Sequence, residues 1–165
     1  MQKCLFLVCP TDCLERVINK TYNNNHYFYT SLGNSVQFNK ENLEAIKKLV
    51  LKNKLKKIFF VLSNENNIIS DAIEKQNFIT TRGLNTLYSE IKKQKNNSKM
   101  CSFRGINQSI LLSYYLNLKI KELKTKLEKV GVKSVKINGK IYHNLEHKFK
   151  NIYPDLICLK KYNFN

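Results

Sequence analysis

Three short runs of apolar and aromatic residues, each followed by a helical pattern, constrain the fold of this chain most. Residues 4–9, 26–30 and 58–62 have the length and composition of strands, and the first and third are apolar enough to be buried on both faces. Helical patterns follow at 13–20, 39–53 and 68–74. This alternation of strand and helix predicts a parallel sheet with right-handed crossover connections.

Local signals set the predicted limits of these elements. Pro10 ends the first strand, and Thr11 or Asp12 is placed to cap the helix that follows. In the 39–53 segment, apolar residues recur at three- and four-residue spacing while the lysines between them face water, as in an amphipathic helix. Gly33 and Asn34 form a predicted turn after the second strand.

The second half of the chain is predicted from weaker patterns. We expect helices over 83–93 and 106–129, separated by a polar loop at 92–99, with Gly131 ending the longer helix. A strand is predicted over 132–142, kinked at Asn138–Gly139, and a final strand over 156–160. The sequence therefore predicts one α/β domain over 1–165, with three layers and a central, mainly parallel sheet of four to five strands.

The cysteines and the hydropathy indicate a compartment. Five cysteines without a CxxC pair argue against a disulfide framework and against a zinc finger, so we expect a reducing cytoplasm. The N-terminal apolar run is short and lacks a small-residue cleavage site, which favours a strand over a secretory signal. No apolar window reaches the ~18 residues that a membrane span needs, so no membrane insertion is expected.

The charge predicts an affinity for polyanions. The chain carries a formal net charge of +17, and of its 29 basic residues only Arg16, Arg82 and Arg104 are arginines. Lysine gives weak, salt-sensitive and non-specific binding to phosphates, whereas base-edge readout relies mostly on arginine. A basic nucleic-acid-associated protein is therefore one alternative function, and a composition bias without function is the other interpretation of this charge.

Candidate functional residues follow the strands. In an open parallel sheet, ligands bind beyond the carboxyl ends of the strands, where the strand order reverses. The segments 9–13, 30–34 and 63–68 stand at those ends. They read Cys-Pro-Thr-Asp-Cys, Thr-Ser-Leu-Gly-Asn and Ser-Asn-Glu-Asn-Asn-Ile.

These three segments, with 135–142 (Val-Lys-Ile-Asn-Gly-Lys-Ile-Tyr), resemble motifs of the beta-class carbonic anhydrases in the same order. That family has Cys-x-Asp-Ser-Arg, Arg-Asn-Ala-Gly-Asn and Gly-His-x-x-Cys-Gly after its first three strands. The resemblance covers most of the chain, although each motif is weak by itself. It implies the family's fold, a zinc site made of two cysteines and a histidine, and assembly into a homodimer.

The departures from the family are as informative as the matches. Cys9 matches the first zinc ligand and is the only matching metal-ligand position, whereas Asn64 and Asn67 stand where the resemblance places the histidine and the second cysteine. Amides are poor zinc ligands beside imidazole and thiolate. Asp12 lies one position later than the family's aspartate, and the position of the arginine that pairs with it falls near Cys13 or Leu14, so only a surface contact from Arg16 is expected.

We therefore expect no cofactor and predict a carbonic-anhydrase-like pseudoenzyme, a non-catalytic binding or structural module with a vestigial site at Cys9, Asp12, Asn64 and Asn67. The candidate ligand-binding residues are Gly33, Asn34, Ser63 and Asn64, and a small anion at the start of the helix after Ser63 is the candidate ligand. Asparagines that merely cap that helix are the simpler interpretation.

Two enzymatic alternatives stay open. One is an active carbonic anhydrase with a relocated zinc site that uses His143 and His147, although exposed histidines without a ligand are the simpler interpretation. The other is a different α/β enzyme whose likeness to the family is accidental and which binds a phosphorylated or adenylated molecule. His26, Cys4, Cys101 and Cys158 are predicted to be structural.

Overall fold

The computed structural model describes residues 2–23, 25–97 and 108–154. Its regular elements alternate as the sequence predicts through the first half of the chain. The strands are β1 (Leu5–Val8), β2 (Tyr27–Thr30), β3 (Lys57–Ser63), β4 (Lys136–His143) and β5 (Lys148–Asn151). The helices are α1 (Glu15–Thr21), α2 (Lys40–Lys52), α3 (Asn67–Ile73), α4 (Asn85–Asn97) and α5 (Gln108–Lys129).

The five strands form one sheet in the order β2-β1-β3-β4-β5. The first four are parallel, and β5 runs antiparallel to β4. The mainly parallel three-layer α/β architecture predicted from the sequence is thus confirmed. Since β1 lies between β2 and β3, the carboxyl ends of these three strands meet at one end of the sheet.

Alternation along β1 divides the core between the two faces of the sheet. Leu5, Leu7 and Cys9 face the layer of α2 to α5, while Phe6 and Val8 face α1. All five side chains are almost completely buried. The burial of both faces explains why β1 reads as a continuous apolar run rather than an alternating one.

The ends of the helices agree with the prediction for α2 and α3 but not for α1. Asn39 caps α2 by accepting the backbone N–H of Asn42, and Asn66 caps α3 in the same way through Ile69. Neither Thr11 nor Asp12 caps α1. Both lie in a turn of 3-10 helix, and α1 starts after Leu14 without a side-chain cap.

Further predictions for the second half need correction, and one strand was missed. α4 continues to Asn97, so most of the predicted 92–99 loop is helical. β5 was not predicted, because its Lys-Phe-Lys-Asn sequence is mostly polar. β4 starts later than predicted and pairs with β3 without a break in register, so the predicted kink at Asn138–Gly139 is absent. The predicted strand over 156–160 lies outside the described residues.

Gly139 lies in a regular part of β4, where its missing side chain leaves room for Ile152. A Cβ atom on Gly139 would lie 2.5 Å from Ile152 Cδ1 and 3.1 Å from Ile152 Cγ1 and Cγ2. The Ile152 backbone N–H also donates to the Gly139 carbonyl at 3.2 Å. The glycine thus fixes where the segment after β5 packs against the sheet.

We expect Gly139→Ala to lower the free energy of unfolding by about 1–3 kcal/mol, because the new methyl group overpacks this contact. Ile152→Val removes the Cδ1 atom in closest approach and should restore part of the loss. Urea denaturation of the two single variants and the double variant measures the coupling. Strictly additive losses would contradict the proposed contact.

A buried carboxylate joins α3 to α4. Asp71 accepts hydrogen bonds from Tyr88 Oη and from the backbone N–H groups of Asn77 and Phe78, both at 3.2 Å. Burial opposes ionisation of Asp71, but these hydrogen bonds outweigh it and hold the pKa of the carboxyl below its usual value. The connection holds Leu87 of α4 and Ile68 of α3 against Gly33, next to the candidate site.

The lowered pKa of Asp71 predicts a contribution to stability that is lost in acid. This contribution is complete above the unfolded pKa of about 3.9 and is lost as the pH falls through the lower folded pKa. Tyr88→Phe should cost roughly 1–2 kcal/mol at neutral pH and should flatten the loss of stability in acid. Tyr29→Phe, which removes a hydroxyl bonded to neutral Asn42, is the control and should leave the acid profile unchanged. Parallel acid profiles for wild type and Tyr88→Phe would contradict this role of Asp71.

Candidate functional site

The candidate site is the crevice formed by the three loops at the carboxyl ends of β1, β2 and β3. The register pairs Val8 of β1 with Thr30 of β2 and with Val61 of β3, so the three strands reach this end of the sheet together. The parallel pairing therefore brings the Cys9–Asp12, Ser31–Asn34 and Ser63–Asn66 loops next to each other.

Cys9 lies at the bottom of this crevice. Its side chain is fully buried, and its Sγ accepts the backbone N–H of Gly33 at 3.1 Å. Thr11 Oγ1 lies 3.0 Å from the same sulfur, with either atom able to donate. The thiol is thus surrounded by the first two loops, and it joins β1 to the turn after β2.

Gly33 is required at this position for two reasons. Its φ is +55°, in the left-handed region that favours glycine. A Cβ atom there would also lie 2.7 Å from Leu87 Cδ1 and 3.0 Å from Ile68 Cγ2. Gly33 therefore allows the two helices to close over the turn, and its N–H points at Cys9.

Asn34 supports the crevice from inside the protein. Its side chain is fully buried, and Nδ2 donates to the Val61 carbonyl at 2.8 Å. Its own carbonyl accepts the hydroxyl of Tyr115, which is buried in α5, at 3.1 Å. The Oδ1 atom has no hydrogen-bond partner among the described residues. Through these contacts Asn34 links the turn after β2 to β3 and α5.

Asp12 connects the loop after β1 to the loop after β3. One carboxylate oxygen accepts the backbone N–H of Ser63 at 2.8 Å, and the other accepts Nδ2 of Asn66 at 2.8 Å. Burial raises the pKa of Asp12, the two hydrogen bonds lower it in part, and the nearby charge of Glu15 raises it further. Both carboxylate oxygens are thus bonded to the loop after β3.

The loop after β3 is closed by its own hydrogen bonds. Ser63 Oγ accepts the N–H of Glu65 at 3.1 Å and donates to Asn144 Oδ1 at 3.1 Å. Asn64 Oδ1 accepts the N–H of Asn144 at 3.1 Å. Asn144 belongs to the turn between β4 and β5, on the side of β3 away from β1. Asn64 is therefore bonded away from the strand that carries Cys9.

The structure places the residues singled out by the sequence in two groups. Cys9 contacts Gly33, and Asp12 contacts Ser63, so these four predicted residues meet in one crevice. Asn64 bonds toward β4, and Asn67 is exposed in the first turn of α3. No hydrogen bond between described residues joins either asparagine to Cys9 or Asp12.

Several residues of the crevice were not found from the sequence. Asn66 stands three residues before Ile69, the spacing of a helix cap, but its bond to Asp12 depends on the strand order. Tyr115 and Asn144 come from segments more than 75 residues away from their partners, with separations of 81 and 80. No local pattern could have indicated these two contacts.

The histidines and Arg16 make different contacts. His26 Nδ1 accepts the N–H of Cys4 at 3.2 Å and its ring packs on Phe6 at 5.0 Å, which confirms a structural role. His147 Nδ1 lies 3.3 Å from the hydroxyl of Tyr142 in the turn after β4. Between described residues, no ion pair joins Arg16 to Asp12, whose oxygens are taken by the third loop.

Within 2–23, 25–97 and 108–154, no group of three or more His, Cys, Asp or Glu side chains is placed to hold a metal ion. None of the helices in that part of the chain is long and apolar enough to cross a membrane.

The fold is that of the beta-carbonic anhydrases. The chain is similar to the beta-carbonic anhydrase CafD of Aspergillus fumigatus, with a TM-score of 0.69, 14% identity and coverage of 93% of this chain and 90% of that one. A tetrameric beta-carbonic anhydrase of Sordaria macrospora matches with a TM-score of 0.69 and 16% identity over 92% of this chain and 80% of its own. The enzyme of Coccomyxa, solved with acetazolamide, gives 0.60 and 12% over 92% and 72%.

Sequence comparison gives no such match. No protein-family model matches the chain, and no curated protein is significantly similar to it. At these identities the structural likeness establishes the fold that the loop motifs predicted, and the chemistry has to be argued from the residues of the crevice.

Loss of the Asp12 carboxylate should destabilise the crevice. Asp12→Ala leaves the Ser63 N–H and Asn66 Nδ2 without their acceptor, so we expect a loss of about 1–3 kcal/mol in the free energy of unfolding. Glu15→Ala removes a nearby carboxylate with no such hydrogen bond and is the matched control. Equal losses in the two variants, measured by urea denaturation, would refute the cross-loop role.

Proposed function

We propose that this chain is a carbonic-anhydrase-like protein without the catalytic zinc site, which acts as a non-catalytic binding or structural module. The observation that carries the proposal is the state of the loop after β3. In the family resemblance this loop supplies two of three zinc ligands, and here it is bonded to Asp12 and to the β4–β5 turn.

The donor set does not fit zinc. A catalytic zinc takes about three protein ligands, drawn from thiolate, imidazole and carboxylate, and keeps one open position. Asn64 and Asn67 offer neutral amides, and Asn64 Oδ1 already accepts a backbone N–H. Asn67 is exposed while Cys9 is fully buried, so the aligned positions also differ in their access to solvent. The residues at the family's ligand positions therefore do not form a catalytic zinc site.

The crevice is better suited to stability than to holding a small anion. The Ser63 N–H, which an anion in this loop would need, already donates to the Asp12 carboxylate. A second negative charge beside this half-buried carboxylate would be repelled. The hydrogen bonds of the crevice instead join β1, β2, β3 and α3, which supports a structural role for this end of the sheet.

Self-association is a further part of the proposal. The similar enzymes of Sordaria macrospora are described as tetrameric, and the family resemblance implies a homodimer. We propose that this chain also assembles with copies of itself, which sedimentation velocity of the purified protein can test.

The metal content of purified, untagged protein tests the zinc-free assignment. We expect less than ~0.1 zinc per chain and no hydration of carbon dioxide, because the chain lacks the three ligands that such a site needs. Cys9→Ser should leave the zinc content unchanged. About one zinc per chain with measurable hydration would overturn the proposal, and Cys9→Ser and His143→Ala would then locate the metal.

A further inference from the structure

The face of the sheet that carries α1 is only partly covered by the described residues. We call the β3–β4–β5 part of this side the open face. A seven-residue helix is about 10 Å long and about 10 Å wide, whereas five strands span roughly 24 Å across the sheet. Within the described part of the chain, side chains of β3 and β5 therefore stay partly accessible on this side.

Aromatic rings lie on the open face. Phe59 of β3 stacks on Phe6 at 5.1 Å with an interplanar angle of 21°, and it remains half-buried. Phe149 of β5 is also half-buried and lies 5.8 Å from Tyr22, which follows α1. Partly accessible aromatic rings can stack on flat ligands.

Three lysines surround these rings. Lys57 and Phe59 share a face because they are two residues apart in β3, and the register places Lys136 beside Lys57. Lys140, four residues after Lys136, holds its Nζ 5.7 Å from the centre of the Phe59 ring. None of the ion pairs between described residues includes any of the three.

Without an ion pair to a described acidic residue, the charged form of Lys140 is disfavoured. Burial lowers the pKa of its ammonium group, and the positive charge of Lys57 lowers it further. Lys140 Nζ donates to the neutral Asn151 Oδ1 at 2.8 Å. An anion that enters this region would relieve the repulsion between the two lysines.

A groove of about 730 Å³ runs along these residues and continues past the edge of β4. Lys57, Lys140, Phe59, Tyr22, Asn138 and Asn151 line its part on the open face. The groove thus combines cations for phosphate groups, rings for stacking and side-chain amides for base edges. Its volume is within the range of ligand clefts.

The open face could bind a second copy of this chain or a polyanion, and charge distinguishes the two. A second copy bound symmetrically would place its own Lys57, Lys136 and Lys140 near those of the first copy. Like charges that face each other across an interface are costly. A polyanion has the opposite charge and gains from the same lysines.

We propose that the open face binds single-stranded nucleic acid, with bases stacked on Phe59 and phosphates held by Lys57 and Lys140. A duplex fits less well, because its bases are already stacked within the helix. The inference does not depend on whether the crevice at Cys9 holds zinc, since the groove is lined by other residues.

Fluorescence anisotropy with labelled oligo(U) and oligo(dT) of about ten nucleotides tests this proposal on the full chain. The pair Lys57→Gln and Lys140→Gln should weaken binding about tenfold or more and reduce the slope of log K against log salt by about 1.4, which is ~0.7 for each lost contact. Lys48→Gln with Lys124→Gln removes the same charge from exposed positions on α2 and α5, and should change the affinity less than about twofold.

Phe59→Leu separates stacking from charge. It keeps an apolar side chain against Phe6 but removes the ring, so we expect about fivefold weaker binding of the single strands and no change for a duplex of equal length. Circular dichroism melting checks that each variant is folded. Equal losses in the two lysine pairs, or equal affinity of wild type for duplex and single strand, would overturn the proposal. A dimer that Phe59→Leu dissociates would overturn it in favour of a second copy.

Discussion

The two hydrogen bonds of the Asp12 carboxylate are the interaction on which the architecture of the crevice depends. Parallel strands β1 and β3 are neighbours along the sheet, and Asp12 joins the loops that follow them. Its carboxylate accepts a backbone N–H and the side chain that caps α3. The start of α3 is thereby fixed relative to β1. Ile68 of α3 in turn packs over Gly33 after β2.

This arrangement shows how hydrogen bonds can hold together the three loops of a carbonic anhydrase fold. In a zinc enzyme, metal ligands on neighbouring loops tie those loops together and contribute to folding. In this chain hydrogen bonds do so: Gly33 to Cys9, and Ser63 and Asn66 to Asp12. Under the zinc-free proposal, these hydrogen bonds take the place of a metal in joining the loops. The +17 charge and the accessible rings of the open face offer a separate basis for function.

The sequence was most informative where one residue's role depends on near neighbours. Buried strands such as β3 and the amphipathic helix α2 follow from periodicity, and their order alone predicts the parallel sheet. β5 could not be predicted, because its pairing with β4 depends on Phe149 meeting Tyr142 across the turn rather than on its own composition. Gly139 was misjudged for a similar reason. A glycine in a strand often marks a bend, but here it accommodates Ile152 from a later segment.

The candidate site shows the same difference between roles set by near neighbours and roles set by distant segments. Cys9, Gly33, Asp12 and Ser63 were found because they follow strands whose carboxyl ends meet. Asn66 was missed because its contact with Asp12 spans 54 residues and depends on tertiary structure. Its neighbours Asn64 and Asn67 have the family's ligand spacing, but the structure bonds Asn64 toward β4 and leaves Asn67 exposed.

The most direct test of the zinc-free crevice is the thermal unfolding of the protein with increasing zinc. A ligand that binds only the folded state raises the unfolding midpoint in proportion to the logarithm of its excess over Kd. We predict that micromolar zinc shifts the midpoint of neither wild type nor Cys9→Ser, each compared with the same protein without zinc. A rise with zinc that Cys9→Ser abolishes would contradict the account, because it would show a metal bound in the crevice.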